Sequence, residues 1–445
     1  MPLPMMTVSG IRGIVNETID ALFISRIAYL QTKLVGGGVI VVGRDTRPSG
    51  EQFANAAFRG IRAAGGTPVD CGIAPTPTTC LAVSSIKANG GIILTASHNP
   101  VQYNGYKMVH ASGRLYRASE CETVYDAFHR NEYPSDEELI PFPSTPERSI
   151  DAPSMHIERI LSNIDVSKIR NANIRIAIDS INGAAGTVFP KLLEHLNVSW
   201  IGVHNNLDGD FVHNPEPRPE HLTDLSNLLR TSENCWGGFI FDPDADRLAT
   251  MGEKGEPISE EMTLVFALQN LLSRTPSPVA TNLSTSMLID DVTKKFGVPV
   301  IRSKIGEANV VEAMESNHCL YGGEGNGGVI FPHIVTARDG LTGMALILEL
   351  MAETSQKITQ LSSIWPIYKI VKEKIPCGSG DPSLLIEKLT NRFSSEKKDL
   401  TDGLKIIKEF GWVHLRASNT EPIIRCYAEA KTAKQANELA AMIIR

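Results

Sequence analysis

The chain has 445 residues, too many for a single hydrophobic core, so two to four domains are expected. It is 42% hydrophobic and 21% charged, which is ordinary for a globular protein, and 43 basic against 50 acidic residues leave a formal charge of −7. That balance argues against a general nucleic-acid or anionic-membrane binder, though not against a local basic pocket for one phosphate. Seven scattered cysteines, with no CxxC pair and no Cys/His cluster, point to reduced, mostly buried thiols and a cytoplasmic home. No basic segment followed by an apolar run suggests a signal peptide, and no run of about 18 apolar residues suggests a membrane span.

The first unit, expected over residues 1–150, opens with Ser9-Gly10-Ile11-Arg12-Gly13. Two glycines around an arginine let backbone approach an anion, with Arg12 as the charge. A helix from about Ile19 to Leu34 follows, then a strand over Val39 to Val42. Gly43-Arg44-Asp45-Thr46-Arg47-Pro48-Ser49-Gly50 reads as a turn held by an Arg–Asp pair, leading into another helix. A strand over Thr67 to Cys71, a helix after Pro77 and a strand over Gly91 to Leu94 continue a β/α alternation, which predicts a mostly parallel sheet. The last strand stops at Thr95-Ala96-Ser97-His98-Asn99-Pro100. In open α/β sheets ligands bind just past the carboxyl ends of strands, so Ser97 falls where chemistry is usually done. Proline-rich, charged sequence from about Tyr133 to Glu147 reads as a linker.

The second unit, over 151–250, has a strand from Ile174 to Ile178 and a small-residue loop, Asp179 to Gly186, that opens a helix. Its last strand, Gly238 to Phe241, ends in Asp242-Pro243-Asp244-Ala245-Asp246-Arg247. Three carboxylates at alternate positions off a strand end can converge on one hard cation; unpaired, they would repel. The spacing also imitates the start of an EF-hand loop, with Glu253 at the twelfth position, but Arg247 stands where that loop needs glycine. A phosphatase of the haloacid-dehalogenase type, with Asp242 as nucleophile and Asp244 as acid/base, is a second rival.

The third unit, over 251–366, alternates again, with Ser259 as an expected N-cap and strands near Val279 and over Val298 to Ile301. Lys304, in the polar turn after the latter, is a candidate substrate contact. Gly322-Gly323-Glu324-Gly325-Asn326-Gly327-Gly328 has no GK[ST] and so is no phosphate loop; its one acid and one amide suit a polyol. The fourth unit, over 367–445, reads as a small α+β domain closed by a helix over about Ala433 to Ile444. Arg416-Ala417-Ser418-Asn419-Thr420-Glu421-Pro422, with Arg425 beyond, offers cations, hydroxyls and loop amides to a phosphate that does not react.

The stretch Thr95 to Pro100 followed by Asn104-Gly105-Tyr106-Lys107 resembles the phosphoserine loop of the α-D-phosphohexomutases, which move phosphate between the 1 and 6 positions of a hexose. The resemblance covers almost the whole chain. It implies three doubly wound α/β domains and a C-terminal α+β domain around a central cleft, each contributing a loop. It further implies that Ser97 carries the transferring phosphate and that Asp242, Asp244 and Asp246, with Ser97, hold Mg²⁺. Arg12 and Arg247 would add positive charge, and Lys107, in preference to His98, would move the hydroxyl proton. Glu324 and Asn326 would read sugar hydroxyls, and Arg416, Ser418, Asn419, Thr420 and Arg425 would hold the second phosphate. Asn326 stands where many members have serine, and Gly328 where many have histidine; an asparagine here is similar to the acetylglucosamine-phosphate branch and points to an amino sugar. Phosphoglucosamine mutase is therefore expected before phosphomannomutase or phosphoglucomutase. A sugar 1,6-bisphosphate is the expected intermediate and activator, sugar phosphates are the only expected partners, and the protein is expected as a monomer or homodimer.

Overall fold

The structure is a computed structural model and describes residues 2–216, 221–377, 381–417 and 423–444. Four sheets follow one another along the chain. In the first, the strand order is Met5–Thr7, Gly10–Ile14, Tyr103–His110, Gly90–Leu94, Gly38–Arg44, Gly66–Ile73, Arg148–Ser149. The central strands Gly90–Leu94, Gly38–Arg44 and Gly66–Ile73 pair in parallel, as the β/α alternation predicts. The other end is antiparallel, which corrects the expectation of a mostly parallel sheet. Beyond the serine loop the chain turns straight back as Tyr103–His110 and pairs against the strand it just left. The polar Asn104 and Lys107 disguise this strand, because its residues serve the site rather than an apolar alternation. Gly105 is forced: a Cβ there would lie 2.4 Å from the Ile11 carbonyl and 2.5 Å from that of Thr95. Only glycine lets the Arg12 strand and the serine loop close on each other.

The stretch expected as a linker is strapped to the first unit instead. It forms a helical turn, Asp136–Leu139, capped by Ser135, with Leu139 fully buried. Arg26 pairs with Asp136 at 2.6 Å and Arg62 with Glu147 at 3.1 Å, and Arg148–Ser149 joins the sheet edge. Proline density signalled irregular backbone correctly; the anchoring comes from side chains far away in sequence.

The second sheet, ordered Leu248–Met251, Gly238–Phe241, Arg175–Asp179, Ser199–Val203, is parallel except at its first strand. The third, ordered Val300–Ser303, Val279–Asn282, Tyr321–Glu324, Gly328–Phe331, Val335–Arg338, is parallel for its first three strands and antiparallel beyond. Its long helix Glu261–Arg274 starts one residue later than Ser259 would dictate: Glu260 is the cap residue, and Ser259 contributes only its carbonyl, to the N–H of Met262. The fourth sheet is antiparallel throughout, with helices Pro382–Arg392 and Ala433–Ile444.

The units are not independent bodies. One apolar cluster runs from Val41 and Leu81 through Ile178 and Phe241 to Leu346 and Trp365, so the first three share a continuous core. Helices Ala21–Leu34, Gly50–Ala63 and Ala118–His129 build a second cluster on the first sheet's other face. The fourth unit has its own core and meets the third through hydrogen bonds such as Ile305 N–H to Asp402 Oδ2 at 2.9 Å. The architecture is three α/β units followed by an α+β unit, as expected.

Candidate active site

Ser97 is the centre. It is 1% exposed and sits at φ +47°, a left-handed conformation that serine adopts at a cost. Neighbouring side chains hold it there. The Ser97 N–H donates to Thr95 Oγ1 at 2.9 Å, and Thr95 Oγ1 donates to Asp45 Oδ2 at 2.6 Å. Asp45 also accepts from Arg47 Nε at 3.0 Å. The Arg47 guanidinium then spreads over the serine loop, donating to the carbonyls of Ser97 (2.7 Å), Asn99 (2.6 Å), Pro100 (2.6 Å) and Tyr103 (2.8 Å). The expected Arg–Asp turn is thus the frame of the serine loop, with both side chains fully buried.

The Ser97 Oγ donates to Asp242 Oδ2 at 3.0 Å and lies 3.3 Å from His98 Nδ1. This contact joins the first unit to the second across 145 positions. Asp242, Asp244 and Asp246 are all fully buried, with ligand oxygens within 4.8 Å of one another. They are not left to repel. Lys107 Nζ reaches Asp244 at 2.7 Å and Asp246 at 3.2 Å, and Arg338 reaches Asp246 at 2.6 Å. Burial and the charges of Asp244 and Asp246 push the Asp242 carboxyl well up from its usual range. Burial also pushes Asp246 up, but Arg338, Lys107 and Arg247 outweigh it and hold that group down. Lys107 loses to burial and gains more from Asp244 and Asp246, so it stays protonated. Two buried oxygens, Asp244 Oδ1 and Asp246 Oδ1, have no hydrogen-bond partner among the described residues. Orphaned acceptors this deep fit a hard cation, which takes oxygen ligands. The three aspartates with Ser97 Oγ therefore suit Mg²⁺.

Around the serine the field is positive. Arg12 Nη1 donates to Asn99 Oδ1 at 3.4 Å, and Arg247 Nε lies 3.5 Å from Asp246 Oδ1. The charge of Arg247, then burial and Arg12, lower the His98 pKa to about 2, so its ring is neutral. An anion arriving between these cations would relieve that crowding.

Glu324 and Asn326 differ from each other. Glu324 is buried, and both of its oxygens are engaged: by Asn282 Nδ2 (2.7 Å) and the Gly306 N–H (3.2 Å), and by Arg338 Nη1 (2.8 Å). Asn326 Oδ1, in contrast, is buried without a hydrogen-bond partner among the described residues. Lys304, two residues before Gly306, is exposed. Arg416 and Arg425 face each other across antiparallel strands and line a cavity of about 90 Å³ with Ser284, Ile305, His414 and Tyr427. Like charges placed directly opposite are destabilising, and Arg425 Nε is buried without a hydrogen-bond partner among the described residues; both features would suit an anion. Ser418, Asn419 and Thr420 lie outside the described residues.

Arg338, Glu307, Asn282 and Thr76 were not evident in the sequence. Arg338 joins the units, donating to Asp246, Glu324 and Glu307, and Thr76 Oγ1 donates to Asp244 Oδ2 at 2.6 Å. The only signal for Arg338 was its place at a strand end, ahead of Asp339-Gly340.

A phosphoryl-transfer site of this build defines a class, and similarity to known proteins agrees. Models of phosphoglucomutase/phosphomannomutase α/β/α domains I, II and III match residues 5–135, 154–255 and 259–368, and the C-terminal domain model matches 383–445. A phosphoglucomutase/phosphomannomutase of Thermococcus kodakarensis is 36% identical over 96% of this chain and 95% of its own. A probable phosphoglucosamine mutase of Methanopyrus kandleri is 32% identical over 97% and 95%. A phosphoglucomutase/phosphomannomutase family protein of Burkholderia thailandensis superposes with a TM-score of 0.86 at 26% identity, covering 98% of this chain and 95% of that one. An Aspergillus fumigatus N-acetylphosphoglucosamine mutase, solved with GlcNAc-6P and magnesium, shares the fold at a TM-score of 0.60 and 14% identity, covering 99% and 95%. The chain belongs to the phosphoglucomutase/phosphomannomutase family of the α-D-phosphohexomutase superfamily. It is a phosphohexomutase, an intramolecular phosphotransferase of the isomerase class.

Proposed function

We propose that this phosphohexomutase is a phosphoglucosamine mutase, interconverting the 6-phosphate and 1-phosphate of glucosamine through phospho-Ser97 and a sugar 1,6-bisphosphate. The observation that carries the chemistry is Ser97 Oγ against buried Asp242, inside a ring of Arg12, Arg247, Lys107 and Arg338. The phosphoserine P–O bond breaks as a P–O bond forms to the free hydroxyl of a sugar monophosphate. Ser97 Oγ leaves and regains a proton; the sugar hydroxyl loses one. Lys107 enters charged and is suited to give its proton to the leaving Oγ and, once neutral, to take up the one the sugar hydroxyl loses, while the neutral His98 ring, 3.3 Å from Oγ, orients that oxygen. Asp242, Asp244 and Asp246 would hold Mg²⁺, which supplies electrophilic stabilisation of the transferring phosphoryl group. Arg12 and Arg247 add fixed positive charge where that group sits. Arg416 and Arg425 grip the phosphate that does not react, so the bisphosphate can turn over and return its other phosphate to Ser97. Seven unpaired cysteines, six of them buried, support a cytoplasmic setting.

The amino-sugar assignment rests on Asn326, whose unpartnered carbonyl oxygen is an acceptor suited to an ammonium N–H. The similarity to the Thermococcus phosphoglucomutase/phosphomannomutase favours a second reading, turnover of plain hexose phosphates. Measuring kcat/KM on glucosamine 6-phosphate, glucose 1-phosphate and mannose 1-phosphate, each with Mg²⁺ and the matching bisphosphate, decides between them. A preference for the amino sugar supports the assignment; a preference for glucose or mannose phosphate replaces it with the second reading.

A further inference from the structure

In the second unit, on the strand beside the one that ends in the aspartate loop, Asp179, together with His204 and His213, brings three ligand atoms within 4.8 Å of one another. Asp179 ends the strand Arg175–Asp179 and is buried; the two histidine side chains are 16% and 14% exposed, which leaves one side of the group open to solvent. Asp179 Oδ2 lies 3.1 Å from both His204 Nδ1 and His213 Nε2. The outer nitrogens have partners that can only accept: His204 Nε2 faces Asp224 Oδ2 at 3.1 Å, and His213 Nδ1 faces the Asn214 carbonyl at 2.9 Å. Asp179 can also only accept, so without a metal each ring is held between two acceptors and carries a proton on both nitrogens; a cation at the inner nitrogens would take the place of the two inner protons. Asp179 Oδ2 and the two inner nitrogens thus converge on one point that a cation can fill by displacing those protons. Ring N–H groups anchored on a carboxylate and a backbone carbonyl are the outer arrangement that orients metal-bound histidines.

We propose that Asp179, His204 and His213 form a structural site for a divalent transition ion of the zinc type, separate from the Mg²⁺ site. Two imidazoles and one carboxylate suit Zn²⁺, with water in the open position, and do not suit Mg²⁺. The site clips together the two ends of the loop from His204 to His213. Between them, Gly209 abuts the first unit so closely that a Cβ would lie 2.0 Å from the Thr46 carbonyl, and the Phe211 ring lies 4.9 Å from the Arg47 guanidinium. The clip therefore holds a loop that covers the arginine framing Ser97.

Co²⁺ titration of the whole chain tests this, because imidazole-bound Co²⁺ in a four- or five-coordinate site absorbs strongly in the visible, whereas an all-oxygen, six-coordinate site absorbs weakly. One Co²⁺ per chain should give the strong band, Zn²⁺ should displace it, and excess Mg²⁺ should not. Asp242→Asn should keep the band. His213→Ala should abolish it, and Asp224→Ala, at an exposed position whose loss leaves the fold intact, should weaken Co²⁺ binding roughly tenfold. No strong band in the wild-type chain, or a band unchanged in His213→Ala and Asp224→Ala, overturns the proposal.

Discussion

Replacing Arg47 by methionine removes the frame of the serine loop while nearly conserving side-chain volume. Five hydrogen bonds from one side chain disappear, to Asp45 and to the carbonyls of Ser97, Asn99, Pro100 and Tyr103. Asp45 is left fully buried without its counter-charge, and burial already raises its pKa against the pull of Arg47. Breaking a buried pair by removing one partner costs about 3–5 kcal/mol. At roughly 2–4 °C per kcal/mol for a cooperative unit of this size, Tm should fall by about 10 °C. Thermal denaturation followed by circular dichroism measures it. Asp45→Asn/Arg47→Met removes both charges and should lose clearly less than the two single variants added together. The loop carbonyls lose their common anchor as well, so kcat should fall even at temperatures where Arg47→Met is fully folded. A Tm shift below about 3 °C, which corresponds to roughly 1 kcal/mol, with unchanged kcat would refute the reasoning.

Three further outcomes are expected. Arg425→Ala should raise KM for sugar phosphates about 10–100-fold with a smaller effect on kcat, since a charge-assisted bond to phosphate is worth about 1.5–3 kcal/mol; steady-state kinetics decides, and an unchanged KM contradicts the anion pocket. Asn326→Ser should shift the kcat/KM ratio between glucosamine and glucose phosphates about tenfold towards glucose, a change of roughly 1.4 kcal/mol; a ratio that stays put removes Asn326 from substrate selection. Burial, and then Arg302, lower the Lys405 pKa from 10.5 to about 7, while its ammonium lies over the Trp412 ring and donates to the Leu283 carbonyl. The unfolded chain therefore binds the extra proton between those values, and the stability from this group falls as pH drops from about 10 to 7. Denaturant unfolding of Lys405→Met should show it gaining on the wild type, by a few kcal/mol at most, as pH is lowered over that range; a difference independent of pH would contradict the shift.

Most of the site was legible because its residues cluster in short motifs at strand ends. Ser97, Asp242, Asp244 and Asp246 come together because a strand that ends in a polar loop delivers that loop to the same edge of the sheet; Lys107, inside the strand Tyr103–His110, was named only through the family resemblance. What stayed hidden depends on contacts remote in sequence. Arg338 reaches Asp246 across 92 positions, and Asn282 reaches Glu324 across 42. A lone arginine at a strand end carries no mark of which acid it will meet. The antiparallel strand Tyr103–His110 was masked by the functional side chains it carries. The anchoring of 133–147 rests on Arg26 and Arg62, on helices far upstream. Even Glu324, legible as a site residue, turns out to be held by Arg338 and Asn282, and no property of its own loop announces that.

The central claim is that Ser97 carries the phosphate in transit, and mass spectrometry of the chain after incubation with Mg²⁺ and glucose 1,6-bisphosphate tests it most directly. One phosphoryl group should appear on the peptide containing Ser97, be discharged by added sugar monophosphate at a rate compatible with turnover, and be absent from a folded, inactive Ser97→Ala enzyme. Undiminished turnover by Ser97→Ala, or a phosphoryl group found on Asp242 instead, would contradict the account.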